Sequence, residues 1–208
     1  MYKYFFKRIL DILFSLIALI LLSPILLIVA IAVKLNSKGP IFFKQKRIGN
    51  HKKPFSILKF RTMPVDVPHD TPTHLFKDGN LLNKFQRFLR KTSLDELPQL
   101  FCIFIGTMSF IGPRPALWNQ YDLIEERDKY GANDVKPGLT GWAQVNGRDE
   151  LEIPLKAKLD GEYTQKLNAG WFRGFFMDVK CFFKTITFVL RRKGVVEGGT
   201  GIKTEGRD

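Results

Sequence analysis

The stretch ILDILFSLIALILLSPILLIVAIAV, residues 9–33, carries one charge, Asp11, in twenty-five positions. At about 1.5 Å per residue a continuous helix of that length reaches roughly 37 Å, enough to cross a bilayer core of roughly 30 Å. It exceeds the hydrophobic region of a signal peptide and lacks a small-residue cleavage site, so it is expected to be retained. Two features disturb a plain spanning helix. Ser23-Pro24 lies near the middle, where proline removes a backbone donor and clashes with the preceding turn. Lys3, Lys7 and Arg8 precede the segment while Lys34 and Lys38 follow it. Positive charge on both flanks specifies no single orientation, and a re-entrant hairpin with both ends cytoplasmic accommodates both clusters. A kinked single-pass helix is the competing reading, since proline is common in membrane helices. The segment alone leaves both open. Asp11 is costly against lipid, and one turn inside the interface it has Lys7 or Arg8 as partners.

Outward from this segment, the 208 residues amount to one domain plus an appendage. Thirty-three Lys and Arg against twenty Asp and Glu leave a net charge of +13, which predicts an anionic partner: phospholipid, nucleic acid or phosphorylated substrate. Hydrophobic content of 45% excludes a disordered chain. Cys102 and Cys181 sit in apolar runs, which argues against a disulfide framework and for a reducing compartment.

Gly39-Pro40 ends the apolar segment. Residues 41–48 (IFFKQKRI) and 54–62 (PFSILKFRT) read as two strands around a turn at Gly49-Asn50. Between 41 and 62 lie seven basic residues and no acidic one, ordinarily a solvated face or a lipid-headgroup contact. Lys59 and Arg61 flank Phe60 and share a strand face, which suits a phosphate clamp. Residues 63–80 read as a Pro-rich loop; its His69 and His74, with Asp66 and Asp70, match no recognised metal-ligand spacing. Residues 81–91 form a short amphipathic helix. Near the C-terminus Phe172, Phe175, Phe176, Val179, Phe183, Ile186 and Leu190 recur at helical spacing with basic residues between them. Such a helix either lies in a membrane interface or packs its phenylalanines into a core. No repeat, P-loop or dinucleotide fingerprint is present.

The stretch SLDELPQ, residues 93–99, is the most informative for chemistry. Ser93 and Glu96 have capping-box spacing, so a helix start is the plain reading. Asp95 and Glu96 beside Arg90 and Lys91 are expected to stay ionised. An ionised aspartate can attack phosphorus or bind Mg²⁺ through oxygen. Two Gly/Pro-rich loops, FIGPRP (110–115) and PGLTGW (137–142) continuing to NGR (146–148), each place an arginine, Arg114 or Arg148, on ordered backbone. Either loop is also ordinary turn chemistry, yet arginine there is a good bidentate phosphate ligand.

Read in order, KRILDI, SLIALILLSPILLIVAIAVKL, GPIFFKQKRIG, FSILKFRTM, LRKTSLDELPQL, GTMSFIGPRP and KPGLTGWAQVNGR resemble the bacterial sugar transferase family, the monotopic polyprenol-phosphate phosphoglycosyl transferases. The resemblance runs from about Lys7 to Arg148, with weaker continuation to Lys184. It implies an α+β, mostly helical fold with a re-entrant membrane helix broken at Ser23 and Pro24, interfacial amphipathic helices and a small β-hairpin. The implied organisation is an anchor over 1–38, a membrane-associated catalytic domain over 39–193 and a flexible tail over 194–208. The implied location is the cytoplasmic face of the bacterial inner membrane.

By the same resemblance Asp95 and Glu96 are the catalytic dyad. Asp95 attacks the sugar-linked phosphate of a UDP-sugar, UMP leaves, and polyprenyl (undecaprenyl) phosphate takes the phosphosugar in a second displacement. Mg²⁺ is the expected cofactor, held by Asp95 and Glu96. Lys59, Arg61, Arg90, Arg114 and Arg148 are the candidate phosphate contacts. The chain departs from the family pattern over residues 160–171 (DGEYTQKLNAGW), which reads as an altered or inserted loop bearing on sugar recognition.

The rival class is a membrane-tethered basic adaptor for anionic lipid or nucleic acid. It accounts for the charge but not for a carboxylate dyad flanked by cations. Nucleic acid is not an expected partner, because the phenylalanines follow helical spacing and form no stacking platform.

Overall fold

The computed structural model describes residues 2–63, 82–147 and 150–190. Arg148, the histidines of the 63–80 loop and the 194–208 tail lie outside the described residues. A π-helical turn, Tyr2–Phe6, leads into α1 (Lys7–Leu21), and α2 (Ser23–Asn36) follows after Leu22. The hairpin β1 (Phe42–Ile48) and β2 (Pro54–Phe60) comes next, then α3 (Lys84–Lys91), a short 3₁₀ turn Leu94–Glu96, and α4 (Gln99–Ile105). After them come β3 (Ser109–Ile111), α5 (Tyr121–Asp128), β4 (Gly138–Thr140), α6 (Ile153–Asn168) and α7 (Trp171–Leu190). The fold is α+β and mostly helical, as expected.

The long apolar segment is two helices rather than one. Pro24 sits in the first turn of α2, where its missing N–H is no loss, and Ser23 Oγ donates to the Ile20 carbonyl at 2.8 Å. The helices bend by 63° at this break. At about 1.5 Å per residue α2 reaches roughly 21 Å, short of a bilayer core of roughly 30 Å, and the first arm, Tyr2–Leu21, reaches no more than roughly 30 Å. Among the described residues no single helix is long and apolar enough to cross a membrane.

One face of the bent pair is packed. Ala18, Leu19 and Leu22 rest on Ile57, Leu100, Cys102 and Ile103. Val29 and Val33 of α2 join Phe60 and Leu89 in a second cluster. The opposite face leaves Leu13, Phe14, Ile20, Leu21, Leu27 and Ile28 exposed. Charged side chains at the foot of α1 fix it to the body. Arg8 donates to the Ile103 and Phe104 carbonyls at the end of α4, both at 2.6 Å. Lys7 donates to Asp178 of α7 at 2.6 Å, while Asp11 accepts from Ser109 Oγ and the Phe110 N–H, both at 3.0 Å. The expected partner Lys7 acts on Asp11 through its charge, while the hydrogen bonds of Asp11 go to β3.

The hairpin pairs Phe42 with Phe60 and Ile48 with Pro54 in antiparallel register, with its turn over residues 49–53. The second sheet is a parallel pair, β3 beside β4, and it explains the two Gly/Pro loops. Gly112 N–H donates to the Thr140 carbonyl at 2.8 Å and Gly138 N–H to the Pro113 carbonyl at 2.9 Å. A Cβ on Gly112 would lie 2.4 Å from the Lys136 carbonyl oxygen, and one on Gly138 would lie 2.1 Å from the Gly112 nitrogen. Only glycines allow these strands to approach so closely.

Residues 160–171 are not an inserted loop. All but the turn at Ala169-Gly170 are helical, and Asp160, Gly161, Tyr163, Thr164 and Leu167 form the buried face of α6. Glycine within a helix is a poor propensity signal, but Gly161 is required by contact: a Cβ there would lie 2.4 Å from Tyr130 Cβ. On α7 the inward face is Gly174, Met177, Asp178 and Cys181. Of the aromatic stripe, Phe172, Phe176 and Phe183 point outward at 62–69% exposure, joined by Phe182 at 54%, while Phe175 packs against the core cluster of Tyr2, Tyr163 and Met177.

Candidate active site

The Asp95-Glu96 pair stands on the 3₁₀ turn between α3 and α4. The capping box expected from Ser93 and Glu96 does not form. Ser93 adopts left-handed backbone (φ 55°) and its side chain caps nothing, while Pro98 precedes the first turn of α4. The sharp reversal at Ser93 turns Asp95 and Glu96 inward, toward β2. Asp95 is 8% exposed.

Glu96 is held by two cations on one oxygen: Lys59 Nζ and Arg114 Nη2 both reach Oε1 at 2.8 Å. Lys59 comes from β2 and Arg114 from the GPRP loop after β3, so three separate sequence motifs meet here. Burial alone would raise the Glu96 pKa, but the charges and hydrogen bonds of Arg114 and Lys59 hold it well below the ordinary carboxylate range. Asp95 behaves oppositely. Burial pushes it above its ordinary value; Lys59 pulls it back, while the adjacent Glu96 charge adds to the rise. Both were expected to stay ionised; the surroundings of Glu96 favour its charge, whereas burial beside Glu96 disfavours that of Asp95. Adjacent carboxylates with divergent environments are the usual arrangement for dividing chemical roles.

Arg90 acts on Asp95 by charge, and its Nε donates to Thr62 Oγ1 at 3.0 Å. Arg61 is engaged elsewhere: its guanidinium binds the Ser37 and Lys38 carbonyls and Ser37 Oγ at 2.6–2.8 Å, tying the hairpin to the end of α2. β2 ends at Phe60, so Arg61 does not continue the strand face of Lys59.

A further cation was not singled out from sequence. Arg47 of β1 donates to Gln45 and to the Pro115 carbonyl, and its charge interacts with Arg114 and Glu96. Burial, with repulsion from Arg114, lowers its pKa; Glu96 opposes. The signal was strand alternation. Phe42, Lys44 and Lys46 are exposed, whereas Phe43, Gln45 and Arg47 take the inward face. Four cations (Lys59, Arg47, Arg90 and Arg114) thus surround two carboxylates, and the described site carries a surplus of positive charge.

Such a surplus in a largely buried cluster favours a polyanionic ligand beside an acidic pair. The chain matches the family model described as bacterial sugar transferase over residues 2–192. It is 40% identical over 190 residues to the UDP-glucose:undecaprenyl-phosphate glucose-1-phosphate transferase of Klebsiella pneumoniae, covering 87% of this chain and 39% of that protein. It is 39% identical over 189 residues to an uncharacterized sugar transferase, EpsL, of Bacillus subtilis, covering 91% and 89%. Similarity at 34% extends to the UDP-N-acetylgalactosamine-undecaprenyl-phosphate N-acetylgalactosaminephosphotransferase of Aeromonas hydrophila, of which the chain spans 44%. A match along nearly the whole chain, by a sequence whose separated motifs converge on one acidic pair, places this protein in the bacterial sugar transferase family.

Proposed function

We propose that the protein is a phosphoglycosyl transferase that moves a sugar 1-phosphate from a UDP-sugar to polyprenyl phosphate at a membrane surface. The observation that carries this reading is the pair of buried Asp95 and half-buried Glu96 inside a cluster with excess positive charge. The relatives' named substrates, a UDP-sugar and undecaprenyl phosphate, are both phosphate anions of the kind such a cluster favours.

In the proposed reaction an Asp95 carboxylate oxygen attacks the sugar-linked phosphorus. The bond from that phosphorus to the bridging oxygen breaks, and UMP leaves with the bonding electrons. An oxygen of polyprenyl phosphate then attacks the same phosphorus and Asp95 leaves as carboxylate, ready for another cycle. Burial keeps the Asp95 carboxylate poorly solvated and therefore reactive, while Lys59, Arg90 and Arg114 screen the approach of a dianionic substrate. Glu96, held ionised, fixes Lys59 and Arg114 in place.

Asp95 and Glu96 also suit Mg²⁺, which takes one or two carboxylates together with substrate phosphates and keeps several waters. Two adjacent oxygen donors, one firmly anionic, fit that requirement. Among the described residues no three-ligand His, Cys, Asp or Glu cluster competes with them. When bound, the ion would neutralise charge on the diphosphate.

The bent α1–α2 pair, with its exposed apolar face and no single helix long and apolar enough to cross among the described residues, supports a re-entrant anchor, and the basic residues on both flanks support a cytoplasmic side for both ends. The outward phenylalanines of α7 and the exposed Phe101, Phe104 and Ile105 of α4 support an interfacial seat.

The test is UMP release without acceptor. Enzyme, Mg²⁺ and a panel of UDP-sugars should give a burst of about one UMP per active enzyme for the correct sugar, with a phosphosugar adduct on the Asp95 peptide. Polyprenyl phosphate should convert the burst to turnover, and chelation should abolish both. UMP release that requires acceptor, with no adduct, rejects the covalent route. No release from any UDP-sugar with acceptor present rejects the transferase reading in favour of a binding protein.

A further inference from the structure

Four successive carbonyls of the loop that presents Arg114 each accept a hydrogen bond from a donor in another part of the chain. Pro113 O takes the Gly138 N–H at 2.9 Å, and Ala116 O takes the Ile48 N–H at 2.9 Å. Between them, Arg114 O takes Arg127 Nη2 and Pro115 O takes Arg47 Nη1, both at 3.0 Å. Prolines at 113 and 115 have no N–H, so the loop cannot brace itself with those donors. Its position is set from outside.

The Arg127 contact differs from the rest because of what stands behind it. Arg127 is 4% exposed and Asp160 1%, and Arg127 Nε and Nη2 both donate to Asp160 Oδ2, at 2.9 and 2.5 Å. Nη2 thus bridges the Asp160 carboxylate and the Arg114 carbonyl. A buried ion pair contributes little net stability against an apolar pair of similar volume, so its value lies in the geometry it enforces. The geometry enforced here is the backbone of the residue whose guanidinium grips Glu96 at 2.8 Å.

We propose that the buried Asp160–Arg127 pair is a positioning device, holding the Arg114 backbone so that its guanidinium meets Glu96 and the substrate phosphate. The proposal rests on the transferase reading above. It gives α5 and α6, which contribute no side chain to the acidic pair in the described structure, a defined part in the site. It also assigns a role to the first residue of the 160–171 stretch.

The test compares Arg127→Lys, Asp160→Asn, Arg114→Lys and the double variant Arg114→Lys/Asp160→Asn, as full chains in detergent, on the UDP-sugar that wild type turns over. Arg127→Lys retains a charge for Asp160 but loses the fork that reaches the Arg114 carbonyl. Arg127→Lys and Asp160→Asn should each lose about tenfold in kcat/KM or more, in the same parameter, kcat or KM, that Arg114→Lys alters. The double variant should be no more than about twofold worse than Arg114→Lys, because residues that act through one contact are not additive. Losses that multiply, or wild-type kinetics in folded Arg127→Lys, overturn the proposal. If Asp160→Asn does not fold, Arg127→Lys and its double with Arg114→Lys decide in its place. Absence of wild-type turnover on every UDP-sugar defeats the transferase reading itself, an outcome distinct from either result.

Discussion

Replacing Asp95 by asparagine removes a charge that burial disfavours, and replacing Glu96 by glutamine removes one that Lys59 and Arg114 favour. The two amides should therefore move stability in opposite directions. A carboxyl with a raised folded pKa loses stability as pH climbs through that value, so at pH 7 Asp95→Asn lifts a penalty. Its melting temperature should rise by about 2–4 °C per 1 kcal/mol recovered, while activity disappears. A carboxyl with a depressed folded pKa supplies stability above its unfolded pKa and loses it as pH falls through the folded one. Glu96→Gln forfeits that contribution at pH 7 and leaves two cations facing a neutral amide, at a cost of about 3 kcal/mol. Melting curves at pH 7 decide; shifts of the same sign in both variants would reject the electrostatic split. The dyad was legible in sequence because adjacent acids beside Arg90 and Lys91 are a local pattern. Its asymmetry was not, since Lys59 and Arg114 are 37 and 18 residues from Glu96 along the chain.

The break between α1 and α2 is the element on which the proposed anchor depends. Pro24→Leu restores a backbone donor and removes the clash with the preceding turn, so a straighter helix becomes accessible. Part of the population should then span the bilayer, seen as labelling from the outer side of a cysteine placed beyond the break; an unchanged labelling pattern would assign the bend to packing against the hairpin and α4. At the other end, Gly161→Ala forces a methyl against Tyr130 Cβ, an atom that cannot move without the backbone of the turn after α5. Overpacking of this kind should cost about 2 kcal/mol in thermal stability, and a neutral result would show that α6 shifts freely over Tyr130. Helix-forming stretches and the hairpin could be read from periodicity and turn residues. The course of α6 through residues 160–168 could not, because glycine is normally unfavourable there and only its contact with Tyr130 explains it.

Across the whole molecule, the bent pair, the exposed ends of α4 and the outward phenylalanines of α7 form the apolar surfaces a membrane would cover. A re-entrant seat puts both termini on one side. Single cysteines at Tyr4, which is 77% exposed, and at Gly206 should react from the cytoplasmic side alone once Cys102 and Cys181 are replaced. Labelling of either from outside would require a spanning helix. What the amino-acid order determined by itself is local: an apolar run interrupted by Ser23-Pro24, a basic hairpin, a carboxylate pair, two Gly/Pro loops and an excess of positive charge. These follow from periodicity, backbone restriction and charge, which act over a few residues. Only the tertiary structure decided that Arg61 serves the end of α2, that Arg47 faces the site, and that Arg127 and Asp160 stand behind Arg114. A long cationic side chain reaches any of several acceptors, and which one it meets depends on packing between segments distant in the chain.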